Sequence, residues 1–272
     1  MRWETLHPDV LMFVGEDHES VATAFIDGDD ALLIDSLGSL EDARELRRVL
    51  CGQLDKTVRM VAATHFMSDH TAGMSLFPEA LTLAHRHYRH TFLSQNQPQA
   101  ALYREPRAVF DGAMTLRWGR HQLRLEPNPG KTLDHLYVDV PSADLVCVGD
   151  NIVGRIVYLS KADPAMIRAA IQRVRGLGRG TVIGGHIGRF PAEALDHAIH
   201  YLDRLRETVI GLRADAIAVD ERIAAIAIET CLAPGVEPVE FEREWHRRNL
   251  QVVIAQSVFA LDAALSASEV GA

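Results

Sequence analysis

The sequence predicts an α/β protein carrying a helical C-terminal part. Two observations lead there: short apolar runs alternate with helical periodicity from Val10 to Ile183, and after Pro191 only three- and four-residue apolar spacing remains. Val10–Val14 reads as a strand, and Ala22–Ile26 and Ala31–Asp35 as two more, joined by the hairpin chemistry of Asp27-Gly28-Asp29-Asp30. Ser39 and Asp42 resemble a capping box ahead of a helix with Leu40, Ala43, Leu46, Val49 and Leu50 on one face. Val58–Ala63, apolar except for Arg59, is expected to be a strand buried on both faces, ending at Thr64. Leu81–Ala84 follows the Phe77-Pro78 break as another strand.

Ala113–Trp118, Gln122–Leu125, Leu136–Val140 and Leu145–Val148 continue the strands, separated by Gly119, by Pro127-Asn128-Pro129-Gly130 and by Pro141-Ser142. Asp163-Pro164 supplies an N-cap and a first-turn proline for a helix running to about Gly176, and Thr181–Ile183 is the final strand. Ala192–Leu212, Asp220–Cys231 and Pro238–Leu265 read as helices. The division expected is a domain over residues 1–200 and a helical extension over 201–272, packing on that domain or at a homodimer interface.

With 28 Lys and Arg against 37 Asp and Glu, the 272-residue chain has a formal charge of −9 and no basic stripe, which argues against nucleic acid as a partner. No apolar run approaches the ~20 residues needed to cross a bilayer, so no membrane role is expected. The opening MRWETLHPDVLMFVGEDHES does not read as a secretory signal. Cys51, Cys147 and Cys231 form no CxxC pair, which points to a reducing cytoplasm rather than a disulfide framework. The chain does hold 13 histidines.

Chemistry concentrates at strand ends. His65, Asp69 and His70 follow the Val58–Ala63 strand within a few residues, Asp150 follows Leu145–Val148, and His186 follows Thr181–Ile183. Imidazole with carboxylate suits zinc, iron or manganese better than calcium or magnesium. A helix start capped by Ser68 or Asp69 would account for Asp69 alone, but poorly for the trio.

These segments resemble a known family. THFMSDHTAG is similar to the THxHxDHxGG motif of the metallo-β-lactamase-fold hydrolases. Pro129-Gly130-Lys131-Thr132 resembles their PGHT turn, Gly149-Asp150 their GD, and Gly185-His186 their final GH. The resemblance spans roughly residues 8–190 and implies a four-layer αββα sandwich of two mixed sheets with the site along one edge. It also implies two metal positions, of which this sequence keeps one. Met67 and Lys131 stand where two histidines of the first position are usual, and a thioether and an ammonium cannot hold a dication beside one imidazole. The second position is complete: Asp69, His70, Asp150 and His186.

The resulting expectation is a metal-dependent hydrolase using one divalent ion, most simply zinc, with iron or manganese as alternatives. It would act through a metal-activated water on an ester, lactone, thioester or amide of a small molecule. His65 or Asp69 would manage the proton, and Lys131 would either meet the developing oxyanion or neutralise Asp150. His65 could equally orient its neighbours. Met67, His85 and His135 are placed at the substrate wall, whereas His87 and His90 read as a solvated face. Trp245, on a predicted helix with Arg247 and Arg248, reads as a pocket wall or as packing. Two rival readings stand beside this one: a non-hydrolytic member (an iron-dependent oxidoreductase or a biosynthetic cyclase or isomerase), and a binding protein with a vestigial site.

Overall fold

A computed structural model of the chain describes residues 1–95 and 100–260. Strands β1 (Arg2–His7), β2 (Val10–Val14), β3 (Val21–Asp27) and β4 (Asp30–Ile34) pair in succession, all antiparallel. Helix α1 (Leu40–Arg47) opens at Ser39, whose hydroxyl accepts the Asp42 N–H at 3.1 Å, as the capping pattern predicts. It leads through a wider turn to β5 (Thr57–Ala62), followed by the single-turn helix α2 (Ser68–Thr71), β6 (Leu81–His85), α3 (Tyr88–Ser94) and β7 (Ala108–Phe110). Strands β4 to β7 pair in parallel and complete a seven-stranded mixed sheet in sequence order.

The second sheet holds β8 (Met114–Trp118), β9 (His121–Pro127), β10 (Leu136–Val140) and β11 (Leu145–Gly149). Helix α4 (Pro164–Arg175) crosses over to β12 (Thr181–Gly184), which lies parallel to β11, and β13 (Arg189–Pro191) closes the edge. The Asp163 carboxylate caps α4 by accepting the Ala165 and Met166 N–H groups. Helices α5 (Glu193–Asp215), α6 (Val219–Ala224) and α7 (Glu240–Ala255) follow.

Side-chain alternation builds the layers. On β2, Val10, Met12 and Val14 face the core between the sheets, while Leu11 and Phe13 face α1. On β11, Leu145 and Cys147 join the inner core and Val146 and Val148 turn outward beneath α4, α5 and α7. The result is two mixed sheets enclosed by helices, the αββα sandwich that the motifs implied. Burial pushes the Cys147 thiol up to about 12, in keeping with a core residue.

Three strands were not legible as apolar runs: β1, β7 and β13 lie at or next to sheet edges and are half-exposed. The helix expected over Asp220–Cys231 stops at Ala224, and a 3₁₀ turn at Ile228–Thr230 takes its place. Helix α5 runs through residue 200, the expected division, without interruption. The part of the last predicted helix over 261–265 lies outside the described residues.

Candidate metal centre and substrate cleft

The two sheets meet along one edge. Ser20 bridges His186, the Val21 N–H donates to the Gly185 carbonyl at 2.9 Å, and the Ile187 N–H donates to the Glu19 carbonyl at 2.8 Å. This seam brings the loop after β5 opposite the loops after β11 and β12.

Asp69, His70, Asp150 and His186 each offer one ligand atom, and these atoms lie within 4.8 Å of one another. All four residues are buried. His70 Nε2 is 3.0 Å and His186 Nε2 3.2 Å from Asp150 Oδ1, and His186 Nε2 is 3.6 Å from Asp69 Oδ2. Yet His70 Nε2, His186 Nε2 and Asp150 Oδ1 make no hydrogen bond of acceptable geometry. Buried polar atoms left in this way are costly unless something else satisfies them.

The far sides of the rings fix which nitrogen is available. His186 Nδ1–H donates to the His18 carbonyl at 2.7 Å, and His70 Nδ1 faces Asp35 Oδ2 at 3.3 Å, so both Nε2 atoms are directed inward. Burial opposes a charge on either ring, but Asp150 outweighs it and raises both pKa values, that of His70 well above its usual range. Burial likewise opposes ionisation of Asp150, and the two imidazoles overcome it, holding that carboxyl well below the usual range. Without a cation both rings are drawn toward their protonated forms by Asp150; a divalent ion would take the place of those protons, and the donor set fits one.

The backbone is shaped for this convergence. A Cβ on Gly185 would collide with Asp150 Oδ1 and the His70 ring. Gly149 has φ +49°, and a Cβ there would lie 2.8 Å from both Thr64 Oγ1 and His135 Cε1.

His65 joins the cluster without being one of the four. The Thr64 hydroxyl donates to Asp35 Oδ2 at 2.7 Å, so Thr64 Oγ1 accepts from His65 Nδ1–H at 3.0 Å. His65 Nε2 is left facing Asp150 Oδ2 at 3.6 Å, a lone pair against a carboxylate. His135 lies beneath, its ring stacked on His65 at 4.5 Å. Its Nε2 accepts the Asp150 N–H at 3.0 Å and its Nδ1–H donates to the Leu136 carbonyl at 3.1 Å.

A cleft of about 460 Å³ opens beside the centre. Met67, Asp69, Lys131, Tyr158 and Trp245 border it, and Gln95 Nε2 donates to Met67 Sδ at 2.8 Å. His85 and His135, expected at the substrate wall, do not border this cleft. His135 has both ring nitrogens committed in the interior, while His85, at the end of β6, accepts the His87 N–H at 3.3 Å. His90, read as solvated, does border the cleft.

Lys131 is buried, and its ammonium donates to the carbonyls of Ser160 at 3.0 Å and Tyr158 at 3.4 Å while lying 3.9 Å from the Tyr158 ring centroid. Among the described residues it forms no ion pair with Asp150, so the neutralising role is not a direct contact. Burial lowers its pKa to about 8, against the opposing charges of Asp150 and Asp69.

Two organising carboxylates escaped the sequence reading. Asp35, at the end of β4, receives both the N–H and the hydroxyl of Thr64 at 2.7 Å. Asp134 accepts the Phe66 N–H and the Thr91 hydroxyl, each at 2.7 Å, and so holds the ligand turn against α3. An acidic residue ending an otherwise apolar strand was the available signal for the first; its place in Lys131-Thr132-Leu133-Asp134-His135 was the signal for the second.

The family model described as the metallo-beta-lactamase superfamily matches residues 17–198. A solved metallo-beta-lactamase from Pontibacter korlensis is similar with a TM-score of 0.65 at 19% identity, over 74% of this chain and 98% of that one. One from Erythrobacter litoralis is similar with a TM-score of 0.62 at 20% identity, over 74% and 95%. No curated protein matches the chain.

Proposed function

The chain belongs to the metallo-beta-lactamase superfamily, and from that premise we propose that it is a metal-dependent hydrolase working with one divalent ion, zinc. The ion is held by Asp69, His70, Asp150 and His186, and the substrate is an ester, lactone, thioester or amide of a small molecule. The observation that carries this reading is the set of buried ligand atoms within 4.8 Å of one another, of which His70 Nε2, His186 Nε2 and Asp150 Oδ1 have no hydrogen bond among the described residues. When bound, the ion supplies Lewis acidity and lowers the pKa of water toward ~7.

The protein's own residues do the rest. Asp69 is the one member of the four that borders the cleft, so its carboxylate is placed to take the proton from the attacking water and return it to the leaving group. His65 is fixed by Thr64, itself bound to Asp35, so that its Nε2 lone pair faces the Asp150 side of the centre, where it can take up a proton. Lys131 adds positive charge at the cleft wall, where negative charge develops on the carbonyl oxygen. With Met67 and Lys131 at the other position, a second ion has no ligand set.

Metal analysis of protein never exposed to chelator is expected to give one equivalent of zinc. Esterase activity should vanish on chelation, return with zinc, and disappear together with the metal in Asp150→Asn. Turnover with metal shown absent would overturn the hydrolase reading, and two equivalents would overturn the single-ion reading.

A further inference from the structure

The cleft carries a charge opposite to that of the protein. The chain totals −9, yet Lys131, Lys161 and Arg248 border the cleft together with His18 and His90. Among the described residues its one acidic neighbour is Asp69, already assigned to the ion.

The two lysines are positioned but not neutralised, and Arg248 is paired along one edge only. Lys131 donates only to the carbonyls of Tyr158 and Ser160, and Lys161 only to the Ser94 carbonyl at 3.1 Å; neither meets a carboxylate within ion-pair distance among the described residues. Carbonyl dipoles orient an ammonium but leave its charge in place. Arg248 gives its Nε to Glu244 at 2.9 Å and lies 4.7 Å over the Trp245 ring, and its two terminal nitrogens make no hydrogen bond among the described residues. Trp245 and Glu244 thus hold a planar fork with its far edge open, a shape that matches a carboxylate or phosphate. Tyr158 and Trp245, with ring centroids 4.5 Å apart, add a flat apolar wall between the charges.

We propose that this cleft selects substrates bearing a negative charge remote from the scissile carbonyl, small anionic acyl compounds with a carboxylate as the simplest case, and that Lys161 and Arg248 recognise that charge. This rests on the proposed function only in taking the cleft beside the metal centre as the place where substrate sits. Lys131 is buried without a counter-ion and Lys161, exposed at the cleft, meets no carboxylate either among the described residues, so the free enzyme is prepared for an anion and not for a neutral ester. Arg248 and Trp245 lie on α7, beyond the 17–198 stretch that the family model matches, whereas Lys161 lies within it, so the recognition joins the matched part of the chain to its C-terminal helices.

The test uses two esters that differ by one methyl group, mono(4-nitrophenyl) adipate, whose chain is too long for ready internal attack by its own carboxylate, and its methyl ester, with the zinc-loaded protein and with each ester's enzyme-free rate at the same pH subtracted. The free acid should be favoured in kcat/KM by about tenfold or more, the scale of one charge-assisted hydrogen bond. Added NaCl and the Lys161→Gln/Arg248→Gln variant should both erase that preference. Binding of glutarate against dimethyl glutarate to metal-free protein, read by tryptophan fluorescence, is the second arm, because no ion is then present to attract the anion. If neither ester is hydrolysed but glutarate is preferred and the double variant loses that preference, the hydrolase reading fails and the anion inference stands. Equal handling of the two esters, a preference that survives in the double variant, or equal binding of glutarate and its diester would overturn the inference.

Discussion

Lys131 is an ammonium in a setting that disfavours it, and that has a measurable consequence. The unfolded chain holds its lysine proton up to about 10.5, whereas the folded protein releases it at about 8. Between those values the unfolded state binds more protons, so stability rises with pH, by about 3 kcal/mol across the whole interval if the shift is fully realised. Lys131→Met lacks this slope, so urea titrations at pH 8 and pH 10 should show wild type gaining on the variant; parallel curves would show that the ammonium is not disfavoured. The same residue explains the single-ion expectation. Met67→His/Lys131→His restores the imidazoles usual at the first position and should raise zinc binding from one equivalent to two, measured by metal analysis after dialysis. At this scale the clustering of Asp69, His70, Asp150 and His186 was legible because imidazoles and carboxylates stand directly after strand ends. Asp35 and Asp134 were not, because a buried carboxylate that organises backbone N–H groups has the same sequence signature as one in a turn. The direction of the Lys131 amine also depends on Tyr158 and Ser160, whose approach no local pattern encodes.

Helix α7 was predicted from its apolar spacing, but what fastens it is polar. Glu242 is fully buried; it accepts the Arg155 N–H at 2.7 Å, both Nε and Nη2 of the Arg155 guanidinium, and the Val239 N–H at 3.0 Å. Asn249 accepts the Leu159 N–H at 2.8 Å and donates to the Val157 carbonyl at 2.6 Å, so the segment carrying Tyr158 is clipped to the helix by main-chain contacts. From sequence, Glu242 and Asn249 look like a solvated face; they are buried because the 153–159 segment folds against them. Arg155→Ala leaves the Glu242 carboxylate buried without its cation and should cost about 3–5 kcal/mol, read as a lower urea midpoint. A cost below ~1 kcal/mol would mean that water reaches the carboxylate. Since Trp245 also lies against His186, with ring centroids 5.8 Å apart, loosening α7 should weaken zinc retention as well as stability.

Over the whole molecule, layering was readable because strands buried on both faces leave apolar runs, and helices leave three- and four-residue spacing. The edges were harder: β1 is RWETLH, with polar residues facing solvent, and β13 has only three residues, so neither offers a run. The C-terminal helices cover the outer face of the second sheet, where Leu205, Val209, Ile223, Leu250 and Val253 pack with Val146, Val148 and Val182. A chain ending at Gly235 would bare much of that surface and is expected to aggregate in a sedimentation assay; a soluble monomer with native-like amide protection would count against the helices as an integral layer.

The seam between Ser20 and His186 has a consequence for biogenesis. His186, the last of the four proposed ligands, lies more than a hundred residues beyond His70 and is seated only when its loop closes against the N-terminal hairpin, so a nascent polypeptide with β12 untranslated would have no finished site to fill. An ion held by the four proposed ligands would therefore be taken up only after His186 has emerged, in competition with whatever chelators and loosely held ions the surrounding fluid contains at that moment.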